Sequence, residues 1–175
     1  MKILVTGATG YIGGRIIPRL LEEGHAVRIL TRDRERALAR PWGQAVEICV
    51  GDVLQPETLV EALDGIDVAY YLVHSMYGGS DFAAKDRQAA EHFVAAGQGL
   101  RQVIYLGGIV PGRDGERAAS KHLESRAEVG EVLRSGLPTT EFRAGPIIGS
   151  GSASFEMVRY LTERLPAMVA PRWIL

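Results

Sequence analysis

The sequence predicts an α/β fold, a doubly wound and mainly parallel sheet with helices on both faces. Short, branched apolar runs alternate with longer amphipathic segments about six times along the 175 residues, the order that builds such sheets. One run, DVAYYLV at 67–73, is almost continuously apolar, as expected of a strand covered on both faces. A chain of this length can bury one substantial core, so residues 1–175 are predicted to form one domain.

The first half of the chain contains three predicted strands and three predicted helices. Residues 3–5 form the first strand, and residues 12–23 have the apolar spacing of a helix that Gly24 closes. Residues 25–31 and 46–50 form the next two strands, and the charged stretch between them holds a short helix. The third helix is PETLVEAL at 56–63, where proline occupies the first turn, the position at which a helix tolerates it.

The second half repeats the pattern. Residues 67–73 form the fourth strand, and a long helix follows within residues 81–96. The fifth strand is predicted at 101–106, with a helix over 116–135 that ends at the Gly136–Pro138 stop. The sixth strand covers 139–144 and the last helix 154–165.

Composition and charge exclude several classes of protein. The formal net charge of −1 argues against a general electrostatic grip on nucleic acid or on an anionic membrane surface. No run approaches the roughly 18 apolar residues of a membrane span, and the N-terminus lacks the pattern of a secretory signal. Cys49, the single cysteine, fits a reducing compartment. We therefore predict a cytoplasmic protein with no nucleic-acid or membrane partner.

A glycine-rich turn joins the first strand to the first helix. Residues 7–13 read GATGYIG, of the form G-x-x-G-x-x-G. The first glycine permits a tight turn, the second lets a pyrophosphate approach the backbone, and the third allows close packing of helix on sheet. The helix N-terminus directs unpaired N–H groups and a partial positive charge at the phosphates. The motif predicts dinucleotide binding, with a merely tight turn as the alternative. The predicted contacts are Gly7, Thr9, Gly10, Tyr11, Ile12 and Gly13.

Several segments together resemble a known superfamily. TGATGYIGGRI, VRILTRDRER, GDV and EFRAGPIIG look like the atypical and extended short-chain dehydrogenases/reductases, nearest to their NmrA-like, NAD(P)H-binding and epimerase-like members. The resemblance runs from residue 1 to about 148. It implies a Rossmann fold that binds a nicotinamide cofactor. Because members are usually longer, it also implies that residues 1–175 are the NAD(P)-binding domain, without the C-terminal substrate-binding part.

The end of the second strand predicts which cofactor is bound. In this fold a carboxylate there hydrogen-bonds the 2′-hydroxyl of NAD, whereas an arginine holds the 2′-phosphate of NADP. Arg32 takes the first position past the strand, and Arg15, near the start of the first helix, could close on the same phosphate. We therefore predict NADP(H) in preference to NAD(H). Two alternatives stay open: the arginines are solvated surface residues, or Asp33 serves the ribose.

The ends of the third and fourth strands add further candidates. By resemblance, Asp52 accepts a hydrogen bond from the adenine amino group and Val53 packs on the ring; the alternative is that Asp52 is only a turn residue. His74 ends the fourth strand, beside the place where such folds hold the nicotinamide ribose. It could donate to the cofactor or substrate, or it could be structural. No spacing of His, Cys, Asp or Glu indicates a metal site.

The usual catalytic residues of the superfamily are not evident. The resemblance implies a tyrosine with a lysine four residues later, but the segment ERAASKHLESRAEVG contains no tyrosine. One register places Arg117 and Lys121 at the two positions, and another places Ser120 and Glu124 there. Candidate proton-transfer residues are therefore His74, Ser120 and Lys121. The alternative is that this helix is simply amphipathic with a charged outer face.

Two functions follow from these observations. The first is an NADP(H)-using enzyme, an atypical short-chain oxidoreductase or a protein like the nucleotide-sugar epimerases, acting on a small-molecule substrate that the sequence does not identify. The second is a non-catalytic NADP(H)-binding redox sensor or regulatory protein, which the missing Tyr–Lys pair favours. A homo-oligomer is compatible with either function.

Overall fold

The computed structural model describes residues 1–74, 81–110 and 120–167. Within these ranges six strands alternate with six helices. The strands are β1 (Lys2–Thr6), β2 (Ala26–Thr31), β3 (Glu47–Val50), β4 (Val68–Tyr71), β5 (Gln102–Gly108) and β6 (Thr139–Ala144). The helices are α1 (Tyr11–Glu22), α2 (Arg34–Leu38), α3 (Pro56–Leu63), α4 (Phe82–Ala96), α5 (Lys121–Gly136) and α6 (Ala153–Arg164).

The strands form one six-stranded sheet in the order β3-β2-β1-β4-β5-β6. β1 pairs in parallel with β2 and β4, and the pairs β2–β3 and β4–β5 are parallel as well. The prediction of a doubly wound, mainly parallel Rossmann fold is therefore confirmed. Because the strand order reverses between β1 and β4, the connections diverge there and leave a crevice at the carboxyl ends of the strands.

Two apolar clusters pack against the sheet. In β1, Leu4 belongs to one cluster, whereas Ile3 and Val5 belong to the other. Because successive side chains of a strand point to opposite faces, the clusters lie on opposite sides of the sheet. Cys49 and Tyr71 are buried in the first cluster. This two-sided burial holds the strand ends at the crevice in register.

Arg28 is a buried charged residue in the middle of β2. One of its terminal nitrogens donates to the carbonyls of Glu61, Ala62 and Asp64 at the end of α3, over 2.9, 3.0 and 2.9 Å. The other lies 2.7 Å from a carboxylate oxygen of Glu47 on β3. Arg28 therefore satisfies helix-terminal carbonyls that have no partner inside the helix. It ties α3 to the edge of the sheet.

Several predicted boundaries differ from the observed ones. The helix PETLVEAL and the sixth strand have the predicted bounds, whereas β4 ends at Tyr71, earlier than the apolar run predicts. A continuous helix from residue 116 is wrong, because Ser120 is extended (φ −66°, ψ 149°) and α5 begins at Lys121. Residues 116–119 lie outside the described residues. The serine hydroxyl caps the helix and therefore ends it on the N-terminal side.

The chain divides into two compact units, residues 1–143 and 144–175. In the second unit, Ser152 caps α6: its hydroxyl accepts from the amide of Phe155 at 3.3 Å and donates to the carbonyl of Ile147 at 2.7 Å. Among the residues that the structure describes, no helix combines the length and the apolar character that crossing a membrane requires.

Candidate functional site

The turn between β1 and α1 places glycine where a side chain would collide. Gly7 adopts φ +67°, and a Cβ there would lie 2.7 Å from the carbonyl oxygen of Leu72. A Cβ on Gly13 would lie 2.4 Å from the carbonyl oxygen of Gly7. Gly10 is the N-cap of α1 and offers no side chain to the first-turn amides. The turn is therefore tight, and it leaves helix-terminal N–H groups available to an anion.

Residues of the segment between α2 and β3 donate hydrogen bonds to this turn and to the first turn of α1. The guanidinium of Arg40 donates to the carbonyl of Thr9 at 2.5 Å. The indole N–H of Trp42, a buried residue, donates to the carbonyl of Gly14 at 3.3 Å. Pro18 lies inside α1 and has no N–H for the helical bond to that same carbonyl, four residues earlier. Trp42 therefore supplies the donor that the helix lacks.

A crevice of about 220 Å³ opens at the carboxyl ends of β1, β2, β3 and β4, with one wall from α4. It lies at the reversal of strand order, where open α/β sheets bind ligands. Six of the predicted site residues line it: Gly7, Thr9, Arg32, Asp52, Val53 and His74. The other predicted coenzyme contacts belong to the turn and α1 and do not line the crevice: Gly10, Tyr11, Ile12, Gly13 and Arg15. Arg36, Lys85 and Asp86 also line it and were not predicted.

At the β2 end of the crevice, Arg32, Asp33 and Arg36 line the cavity, and one oxygen of the Asp33 carboxylate is used to cap α2. Arg32 is 82% exposed, and its nearest carboxylate oxygen, on Asp52, is 3.8 Å away. Asp33 is the N-cap of α2, and its carboxylate accepts from the backbone N–H of Arg36 at 2.9 Å. The side chains of Arg32 and Arg36 are therefore placed to receive a phosphate at this end.

Asp52 has both a turn role and a place in the crevice. One carboxylate oxygen accepts from the amide of Leu54 at 3.0 Å, which forms the turn after β3. The other oxygen faces Arg32. Val53 lines the crevice and packs against the first apolar cluster. Contacts of these two residues with an adenine remain predictions.

At the β4 end of the crevice, His74 lies beside a second histidine, His122, on the first turn of α5. The rings of His74 and His122 lie 5.9 Å apart at an interplanar angle of 61°. Removal from water lowers the pKa of His74, and the positive charge of Arg126 and the His122 ring lower it further, against an opposing effect of Asp86. His74 is therefore a neutral imidazole at neutral pH, able to donate from one nitrogen and accept at the other.

Ser120 and Lys121 are placed differently. The Ser120 hydroxyl accepts from the amide of Leu123 at 3.3 Å as the N-cap of α5. Lys121 is exposed, and neither residue lines the crevice. Arg117 lies outside the described residues. The proton-transfer roles of Ser120 and Lys121 remain predictions, whereas the structure brings His74 into the crevice.

Within residues 1–74, 81–110 and 120–167, no three side chains of the His, Cys, Asp or Glu type lie close enough to hold a metal ion. Arg15 lies over the ring of Tyr11, with its guanidinium carbon 4.7 Å from the ring centroid. That stacking orients Arg15 along the start of α1.

Known proteins share both sequence and fold with this chain. A photosystem II assembly factor, Ycf39 of Cyanophora paradoxa, is 46% identical over 69 residues, 39% of this chain and 21% of that protein. A 3 beta-hydroxysteroid dehydrogenase/Delta 5-->4-isomerase of Mycobacterium tuberculosis is 28% identical over 116 residues, 59% of this chain and 30% of that protein.

A solved structure gives the likeness in three dimensions. The triphenylmethane reductase of Citrobacter sp., complexed with NADP(H), superposes with a TM-score of 0.70 at 24% identity, over 93% of this chain and 55% of that one. This chain therefore spans at most about half of the proteins it matches. At that identity the superposition demonstrates a shared fold.

The family follows from a match to most of the chain. Residues 1–156 fit the model of the NmrA-like family. That range contains the glycine turn, the basic end of β2 and the two histidines. The chain belongs to the NmrA-like family.

Proposed function

We propose that this chain binds NADP(H) in the crevice and is the coenzyme-binding part of an oxidoreductase of the atypical short-chain group. The observation that carries the proposal is the composition of the crevice. It joins the glycine turn, which suits a pyrophosphate, to two arginines at one end and a neutral histidine at the other. An extended NADP(H) molecule carries its 2′-phosphate at one end, its pyrophosphate in the middle and its nicotinamide ring at the other end. That order matches the two arginines, the glycine turn and the histidine of the crevice.

The preference for NADP(H) over NAD(H) rests on the end of β2. One oxygen of the Asp33 carboxylate, the alternative acceptor for the 2′-hydroxyl of NAD, is already engaged in capping α2. Arg32 and Arg36 face the same space with positive charge. A phosphate held by two guanidinium groups gains charge-assisted hydrogen bonds that a hydroxyl cannot form.

The relatives support an oxidoreductase. The Citrobacter reductase structure contains NADP(H), the mycobacterial relative is named as a hydroxysteroid dehydrogenase, and other structures of the same fold are complexes with NAD. When bound, the nicotinamide ring would supply hydride transfer. The chain itself would hold the phosphates at the turn and first-turn amides of α1. His74, neutral at neutral pH, would donate or accept a proton at the other end.

Substituting Arg32 and Arg36 tests the coenzyme assignment. We expect Arg32→Ala and Arg36→Ala each to weaken NADPH binding by tenfold or more, because a charge-assisted hydrogen bond is worth about 1.5–3 kcal/mol. NADH has no 2′-phosphate, so its affinity should change less than about twofold. Calorimetric titration of the purified chain with both coenzymes measures this difference.

Arg19→Ala is the matched control, since Arg19 is an exposed arginine of α1 that pairs with Glu22 and does not line the crevice. It should change neither affinity. Equal losses for NADPH and NADH in the Arg32 and Arg36 variants would refute the preference for NADP(H). Failure of the unaltered chain to bind either coenzyme would refute the proposed function itself.

A second function, a non-catalytic NADP(H) sensor, is favoured by the composition of α5, which contains no tyrosine. The two functions differ in turnover. Loss of NADPH absorbance with a panel of aldehydes, ketones and quinones supports the enzyme. Tight NADPH binding without turnover across the panel, measured on the full-length protein, supports the sensor.

A further inference from the structure

Arg40 is a half-buried arginine that contacts the glycine turn without lining the crevice. It follows α2 in the chain, and its guanidinium donates to the carbonyl of Thr9 over 2.5 Å. Thr9 itself lines the crevice. The guanidinium therefore lies behind the turn, one residue away from the space that the pyrophosphate of a coenzyme would enter.

The chain around Arg40 is folded tightly enough to hold this side chain in place. The amide of Arg40 donates to the carbonyl of Ala37 at 3.0 Å, and its carbonyl accepts from the amide of Gly43 at 2.8 Å. Ala37 is fully buried in the second apolar cluster, and a Cβ at Gly43 would lie 2.5 Å from the Ala37 carbonyl oxygen. Trp42 attaches the same segment to α1. Arg40 therefore reaches Thr9 from a backbone whose position is fixed by packing.

The hydrogen bond from Arg40 determines where the Thr9 carbonyl points. A carbonyl oxygen carries partial negative charge and would repel a phosphate if it faced one. Here the oxygen of Thr9 is directed at a guanidinium that does not line the crevice. The Gly7 carbonyl is engaged as well, because it accepts from the amide of Gly10 at 3.0 Å. Neither oxygen is then free to face the anion that the first-turn N–H groups of α1 would bind.

Arg40 also brings a positive charge to this turn. Among the residues that the structure describes, no carboxylate forms a salt bridge with it. Arg28, by contrast, is paired with Glu47. A cation that lacks a carboxylate partner and is partly removed from water acts on a nearby anion more strongly than a paired surface charge does.

We propose that Arg40 is a positioning residue for the pyrophosphate of the coenzyme: it holds the Thr9 carbonyl away from the anion and adds positive charge behind the turn. The proposal rests on the proposed NADP(H) binding, and it gives Arg40 a role different from that of Arg32 and Arg36. Those two arginines face the 2′-phosphate, which only NADP(H) carries. The pyrophosphate is common to NADP(H) and NAD(H), so Arg40 strengthens the binding of both coenzymes by the same factor.

Two substitutions at Arg40 test this role. Arg40→Met keeps an unbranched side chain but removes the charge and the donor. A unit charge about 8 Å from a phosphate, at an effective dielectric constant of about 40, changes a dissociation constant about fivefold. Arg40→Met should therefore weaken NADPH and NADH equally, by about fivefold or more. Arg40→Lys keeps a positive charge and a donor, so it should recover most of the affinity for both coenzymes.

Adenosine 2′-monophosphate separates a role at the pyrophosphate from general damage to the fold. It carries the adenine and the 2′-phosphate but no pyrophosphate. Arg40→Met should therefore change its affinity by less than about twofold, whereas Arg32→Ala should weaken it. Arg34→Met is the matched control: Arg34 of α2 also donates to a backbone carbonyl, that of Ile48 at 3.4 Å, but does not line the crevice. It removes the same charge and should leave the affinity for NADH unchanged.

Calorimetric titration of the purified chain and its variants measures the two coenzymes, and displacement of NADPH measures adenosine 2′-monophosphate. Unchanged affinity of Arg40→Met for both coenzymes overturns the proposal, and so does a loss confined to NADPH, which would place Arg40 at the 2′-phosphate. An equal loss for adenosine 2′-monophosphate, or a loss in Arg40→Lys as large as in Arg40→Met, overturns it too. In all these outcomes the unaltered chain binds a coenzyme and the proposed function stands. Absence of binding by the unaltered chain overturns both.

Discussion

The hydrogen bond from Trp42 to Gly14 makes a prediction about the stability of the glycine turn. Pro18 cannot donate to the Gly14 carbonyl, and the indole N–H does so from outside the helix at 3.3 Å. We expect Trp42→Phe to destabilise the chain. The smaller ring also leaves space in the second apolar cluster, where Trp42 is 5% exposed. The two effects must therefore be separated.

Their sizes follow from general values. Losing the hydrogen bond to the part-buried carbonyl of Gly14 should cost about 1 kcal/mol. The lost apolar contact should cost about another 1 kcal/mol. Trp42→Phe alone should therefore lower the free energy of unfolding by about 2 kcal/mol. In a Pro18→Ala background, the new amide of residue 18 donates to Gly14, so the same change should cost only about 1 kcal/mol.

A double-mutant cycle measures the difference. Urea unfolding followed by circular dichroism gives the free energy of unfolding of the unaltered chain, the two single variants and the double variant. Dichroism is used because Trp42→Phe removes a fluorescent reporter. The expected coupling between Trp42 and Pro18 is about 1 kcal/mol.

Val27→Ala is the control substitution for the cycle. Val27 is buried in the same cluster, and its replacement removes apolar contacts only, so its cost should be the same with Pro18 or Ala at position 18. If Trp42 and Pro18 also prove additive within about 0.3 kcal/mol, Trp42 acts through packing alone and the reasoning about the orphaned carbonyl is refuted.

Three other predictions concern stability. Gly7→Ala should lower the melting temperature by more than Gly24→Ala. Both glycines have positive φ, but a Cβ at Gly7 would lie 2.7 Å from the carbonyl oxygen of Leu72, whereas a Cβ at Gly24 would meet nothing within 4 Å. Equal decreases in melting temperature would contradict the close approach at Gly7. Arg28→Leu should lower the free energy of unfolding, measured in urea, by about 3 kcal/mol, because three carbonyls at the end of α3 lose their hydrogen-bond donor. A decrease under about 1 kcal/mol would show that water replaces the arginine as donor. The hydrogen bond from Arg28 lowers the pKa of Glu47 below the ordinary value of a glutamate. The ionised Glu47 therefore stabilises the fold above that ordinary value, and this stabilisation is lost as the pH falls through the lowered pKa. Glu47→Gln should flatten this part of the plot of stability against pH, and an unchanged plot would contradict the prediction.

Local sequence signals were sufficient for most of the fold. The proline at the first turn and the apolar spacing placed α3 correctly, and the glycine motif placed the β1–α1 turn. Each signal lies within one element, so it can be read without knowing what packs against it. The start of α5 was placed too early, because the charged helix-forming residues before Ser120 outweighed the serine. Its hydroxyl is a local N-cap signal that could have corrected the boundary.

The candidate site likewise combines features that local sequence predicts with features that depend on packing. The residue types at the glycine turn and after β2 predicted a phosphate-binding crevice, because both depend on short segments at strand ends. Sequence could not show that Asp33 is engaged by the Arg36 amide, nor that Arg36 turns to the crevice. It could not show that the ring of His122, 48 positions after His74, lies edge-on beside the His74 ring. Those facts depend on how α2, α4 and α5 pack.

The sequence by itself determined the alternating elements, the glycine-rich turn between β1 and α1 and the type of charge after β2, since these follow from local periodicity and residue chemistry. Only the tertiary structure decided which side chains share the crevice. Contacts between α4, α5 and the end of β4 are set by packing on one face of the sheet, and packing brings together residues that no local pattern relates.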